Sequence, residues 1–154
     1  MNKSTKISNE LVLFDSNILV FAHNTASPFH SKAKKLLLSA VDGSLNAVLA
    51  PQNLLEFYSI ITNPKRVEKP LSVSQVNLLV KEYLTSEVFI FIYPQDTTQS
   101  RTFELAKKHK IKKVEIFDTY LAATMFDNNV SIIYTDNEKY FKIFKDIKVV
   151  NPFK

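Results

Sequence analysis

The sequence has no cysteine and a single glycine, Gly43, in 154 residues. Without cysteine there is no disulfide framework, no thiolate metal site and no cysteine nucleophile. One glycine leaves no G-x-G-x-x-G dinucleotide turn and no G-x-x-x-x-G-K phosphate loop. No uninterrupted apolar run approaches the ~18 residues that span a bilayer. Residues 1–10 are polar and lack the apolar stretch of a signal peptide. A soluble, cytoplasmic protein with no membrane partner is the expectation.

What is present supports one folded unit. The length matches a single domain of roughly 100–200 residues, and 45% apolar residues are enough for a buried core. Lysine and arginine total 20 against 15 acidic residues, a formal charge of +5. That excess points toward an anionic partner such as nucleic acid, although proteins that bind nothing anionic also carry charges of this size.

Short apolar runs alternate with helical patterns along the chain. Residues 11–14, 47–50, 88–93, 131–134 and 147–150 read as strands. Helices are predicted over 18–22, 30–41, 51–62, 72–85, 97–109 and 116–128. Ala33, Leu36, Leu37 and Ala40 share one face at helical spacing. Ser27-Pro28 reads as a helix start, and Ser72 with Gln75 as a capping box. Continuous apolar strands separated by helices indicate a parallel sheet covered on both faces. The expected fold is therefore a three-layer α/β/α single domain over residues 1–154, with its core at about 11–150. Its sheet is mostly parallel, with about five strands.

Ligands of open α/β sheets gather beyond the carboxyl ends of the strands, so Asp15, directly after the first strand, is a candidate ligand as well as a natural helix N-cap. Glu56 lies in the apolar run LLEFYSII, where a carboxylate is either paired or meets a polar cavity. Asp118 is the only charge in residues 116–126, a stretch apolar enough to be buried. Asp136 follows the fourth strand, at the same end of the sheet as Asp15, and also suits a simple turn. Converging acids without a compensating arginine repel one another unless they hold a hard divalent cation. Magnesium suits such oxygen ligands and keeps several of its waters. On a basic protein, an acidic metal site fits cleavage of a polyanion, with outlying lysines holding its phosphates.

Four stretches in this order resemble the PIN-domain family, and within it the VapC-type toxins of prokaryotic toxin–antitoxin pairs. They are LFDSNILV (13–20), PQNLLEFY (51–58), IFDTYLAAT (116–124) and IYTDNEKYF (133–141), with FHSKA (29–33) and TNP (62–64) between them. The resemblance implies an endoribonuclease dependent on Mg2+ or Mn2+. It implies that Asp15 and Asp118 are the principal metal ligands, with Glu56 as a third acid orienting water or a second ion. The family's fourth acidic position falls on Asn137, two residues after Thr135, and Asp136 becomes an outer ligand. Asn17 and Thr135 are implied as hydrogen-bonding supports. An antitoxin partner, a homodimer and an RNA substrate, tRNA or mRNA, are implied as well.

The lysines at 107, 108, 110, 112 and 113, and the pair Lys65 and Arg66, are basic segments. Lys65, Arg66, Lys112 and Lys113 are candidate RNA contacts, although lysines at a helix C-terminus also suit its dipole. His23, His30 and His109 have no metal-ligand spacing. Leu36-Leu37-Leu38 and the first helix offer a dimer face. Asn137 in place of an acid keeps open an alternative, a catalytically weak or inactive PIN-fold module that binds RNA or protein. A haloacid-dehalogenase-like phosphatase expects a second aspartate where this chain has Asn17.

Overall fold

The computed structural model describes residues 9–154. Residues 1–8, most of the polar start noted above, lie outside the described residues. The strands β1 (Leu11–Phe14), β2 (Asn46–Leu49), β3 (Ile90–Phe91), β4 (Ile132–Tyr134) and β5 (Lys148–Val150) form one sheet. Their order is β3-β2-β1-β4-β5, and every pairing is parallel. The helices are α1 (Ser16–His23), α2 (His30–Val41), α3 (Pro51–Ile61), α4 (Val73–Thr85), α5 (Thr98–His109), α6 (Glu115–Asp127) and the short α7 (Glu138–Phe141).

Apart from Asn46 and Lys148, which open β2 and β5, the strands are built of apolar or aromatic residues because both faces of the sheet are covered. Successive side chains point to opposite faces, so Val12 and Phe14 join one core with Ile18, Leu49 and Phe57. Leu13, Val48 and Ile133 join the other, with Leu121 and Met125 of α6. Asp127 closes the second layer by pairing with Arg101 of α5 at 2.7 Å. Phe153 extends the first core past β5, packing on Phe21 and Phe29.

The chain leaves β1 toward β2 and β3 on one side and returns to place β4 and β5 on the other. The reversal falls between β1 and β4, and ligands of open α/β sheets gather beyond the strand ends at such a point.

Local differences from the sequence reading have local causes. Ser27 does not cap a helix. Its hydroxyl accepts the Phe29 amide at 3.1 Å in a tight turn, and α2 begins at His30. The third strand shrinks to two residues at the sheet edge, where Pro94 has no amide to extend pairing. The capping box of α4 forms as read, with Ser72 and Gln75 exchanging bonds of 2.9 and 3.2 Å. α7 was not anticipated, four residues being too short for a periodic signal. Among the described residues, no helix is long and apolar enough to cross a membrane.

His23, at the end of α1, hydrogen-bonds Tyr83 at 2.8 Å. Burial, with His30 and Lys34 adding like charge, lowers its pKa to about 4. Glu82 lines the same cavity. The unfolded chain therefore takes up this proton below the ordinary value of 6.5, before the folded chain does. Stability from this group is complete above pH 6.5 and lost as pH falls toward 4, a change of ~2 kcal/mol after allowance for partial exposure. In chemical denaturation, the difference between wild type and His23→Gln should shift by that amount between pH 7 and 4.5, against the wild type. A pH-independent difference would show that His23 titrates normally.

Candidate functional site

Asp15 directly follows β1 and caps α1. Its Oδ1 accepts the Ser16 amide at 2.7 Å. Its Oδ2 accepts the Thr135 hydroxyl at 2.7 Å and the Asn17 amide at 3.3 Å. Thr135, fully buried just after β4, thus ties the two central strand ends together. Asn17 reinforces the tie, donating to Thr135 Oγ1 at 3.2 Å and accepting the Asp136 amide at 3.2 Å. Burial raises the Asp15 pKa to about 6, with Thr135 opposing the shift and the charge of Glu56 adding to it.

Glu56 sits on α3, which starts directly after β2. Pro51 presets the first turn, and Asn53 Oδ1 accepts the Ala50 amide at 2.8 Å. Only this half of a capping box exists, since alanine has no side-chain acceptor. Each Glu56 oxygen is held: Ser16 Oγ donates to Oε2 at 2.9 Å and Gln52 Nε2 to Oε1 at 2.7 Å. Asp118 projects from the start of α6. Among the described residues no hydrogen bond reaches its carboxylate. Burial, then the charges of Asp15, Glu56 and Glu115, raises its pKa to about 7.

The structure therefore brings Asp15, Glu56 and Asp118 into one electrostatic group drawn from β1, α3 and α6. Asp136 and Asn137 remain on the loop after β4. Asp136 is half-buried and Asn137 exposed, and the Asn137 amide donates to Thr135 Oγ1 at 3.0 Å. Neither side chain joins the hydrogen-bonded acid group. Lys112 and Lys113 are exposed in the turn that leads into α6, whereas Lys65 and Arg66 are exposed beyond the far end of α3.

Three participants escaped the sequence reading. Ser16 bridges two acids, and only its place beside Asp15 hinted at this. Gln52 stands four residues before Glu56, a spacing that places both on one helix face. Glu115 entered because α6 begins one residue earlier than expected, which adds a negative charge one turn from Asp118.

The donor set fits a hard, hydrated cation. It consists of oxygen ligands only, and none of the ion pairs among the described residues involves these acids. The acids do not form a ready-made group of three metal ligands among the described residues. Asp15 is instead occupied by its hydrogen-bond donors. An ion that retains several waters requires few direct protein ligands. Beside the acids lies an apolar cavity of about 520 Å³, bordered by Gln52, Leu55, Phe103, Phe117 and Tyr120.

The sequence matches the PIN domain model over residues 12–147. It is 24% identical over 142 residues to Ribonuclease VapC24 of Mycobacterium tuberculosis, covering 92% of this chain and 97% of that protein. The fold matches the crystal structure of VapC20 of the same organism, described as a Sarcin-Ricin loop cleaving toxin. That match has a TM-score of 0.66 at 13% identity over 86% of this chain and 95% of that one. It also matches VapBC2 from Rickettsia felis, solved bound to a DNA fragment from their promoter, with a TM-score of 0.63 at 18% identity over 92% and 98%.

Proposed function

The chain belongs to the PIN-domain family, and on that premise we propose that it is a metal-dependent endoribonuclease, the toxin of a toxin–antitoxin pair. The observation that carries this reading is the meeting of Asp15, Glu56 and Asp118 with their charges uncompensated and two of their pKa values raised. The match to relatives named ribonucleases supports it.

Asp15 and Asp118 would hold a magnesium or manganese ion. When bound, such an ion supplies a water of lowered pKa and neutralises charge on the phosphoryl oxygens. Glu56, steered by Ser16 and Gln52, orients the attacking water and accepts its proton. Thr135 favours the ionised form of Asp15 against its burial, and with Asn17 it aims the carboxylate. Asn137 contributes an amide oxygen from the loop after β4, with Asp136 as an outer ligand. Lys112 and Lys113 hold RNA phosphates near α6, and Lys65 with Arg66 hold a more distant stretch of the strand.

Likeness to VapBC2 and to a toxin–antitoxin complex from Klebsiella pneumoniae supports a protein antitoxin as partner. The substrate class is cytoplasmic RNA, tRNA or mRNA. A homodimer belongs to the same reading. Of Leu36–Leu38 only Leu38 is exposed, whereas Leu55, Phe103 and Phe117 are 72%, 60% and 60% exposed, which makes theirs the better face.

Purified protein should cut tRNA or total RNA in Mg2+ or Mn2+ and lose that activity in EDTA. Cleavage that survives the chelator overturns the metal-dependent reading. RNA retention without cleavage, with either ion and no antitoxin present, favours the non-catalytic binding module.

A further inference from the structure

One amide group spans two of the three acid-bearing elements. Gln52 Nε2 donates one hydrogen to Glu56 Oε1 at 2.7 Å and the other to the Phe117 carbonyl at 2.8 Å. Phe117 is the residue before Asp118. Both neighbours are acceptors only, so chemistry fixes the amide with its nitrogen toward them. The opposite atom, Oε1, is buried without a hydrogen-bond partner among the described residues. Leaving a buried acceptor unmet is unfavourable, so this orientation serves the two acceptors at the expense of the fold.

We propose that Gln52 is a positioning residue that sets Glu56 and the first turns of α6 at the separation the acid site requires. The inference rests on the nuclease reading and adds to it a residue that touches neither substrate nor ion. Ser16 holds the other Glu56 oxygen, at 2.9 Å, from the β1 side. Without Gln52, Glu56 keeps that tie and loses its link to α6, so the Asp118 segment is free to drift from it. Groups that support metal ligands in this way typically change affinity or activity by about 10–100-fold when removed.

The test compares wild type, Gln52→Met and Gln52→Glu. Methionine keeps the volume and removes both the two donors and the orphaned oxygen. Glutamate also removes the donors and adds charge against Glu56. Three quantities are read: kcat and KM for RNA cleavage, Mn2+ affinity by calorimetry, and the melting temperature without metal. Gln52→Met should lower kcat about tenfold or more and weaken Mn2+ binding, with KM within about twofold and an equal or higher melting temperature. Gln52→Glu should be at least as impaired in kcat. If Gln52→Met lowers the melting temperature and leaves kcat and Mn2+ affinity at wild-type values, the residue is structural only and the proposal is overturned. A wild type that neither cleaves RNA nor binds Mn2+ overturns the nuclease reading itself. Wild-type cleavage matched by both variants overturns only the role of Gln52.

Discussion

Asp118→Asn should abolish RNA cleavage and make the metal-free protein more stable. Removing a charged ligand forfeits several kcal/mol of transition-state stabilisation, a loss of about a thousandfold or more in kcat/KM. The stability gain follows from the same geometry. Burial and the charges of Asp15, Glu56 and Glu115 raise the Asp118 pKa from 3.8 to about 7. The folded chain therefore holds a proton that the unfolded chain releases between those values. The stability this gives at acid pH is lost as pH rises through 7, where the carboxylate must ionise among like charges. Asparagine removes that penalty. Because Asp118 is only half-buried, the gain is discounted to about 1 kcal/mol, or about 2–4 °C in melting temperature at pH 8. The gain should fade toward pH 4. An aspartate serving only as a helix-start residue predicts the reverse, a variant that melts earlier and still cuts.

Thr135→Val has the opposite signature. Its hydroxyl is fully buried and donates to Asp15 at 2.7 Å while accepting from Asn17 and the Asn137 amide. Valine has nearly the same shape and none of these bonds. It leaves a buried carboxylate without one of its donors and cuts the tie between the ends of β1 and β4. Hydrogen bonds to charged groups contribute about 1.5–3 kcal/mol, so the melting temperature should fall by about 4–8 °C. Cleavage should fall about 10–100-fold, since Asp15 loses its aim. Stability and activity thus fall together at the supporting threonine and move apart at Asp118. Thermal melts and initial rates on the same preparations separate the two cases. A Thr135→Val protein with unchanged melting and unchanged rate would remove Thr135 from the site.

The parts of the fold that the sequence reveals are those where burial leaves a periodic mark. Val12, Leu13 and Phe14 are apolar in succession because both sheet faces are covered, and the same holds for Val48 and Ile133. Asp15, Glu56 and Asp118 are conspicuous because each is a charge set against an apolar element. Ser16 and Gln52 leave no such mark. Serine after aspartate and glutamine on a helix are ordinary residues, and their roles depend on partners 40 and 65 positions away. Glu115 was set apart from the site by a helix boundary misplaced by one residue. α7 is shorter than two turns, so no repeat exists from which to read it. Lys65 and Arg66 look like neighbours of the site in a linear sequence, but the length of α3 carries them to its far end.

Titration of Mn2+ into metal-free protein by calorimetry at pH 7.5 tests the acid group most directly. Wild type should bind, and Asp15→Asn and Asp118→Asn should each lose about tenfold or more in affinity while remaining folded. Undiminished Mn2+ binding in both variants, or no binding by a wild type that still cuts RNA in EDTA, would contradict a metal site built on these carboxylates.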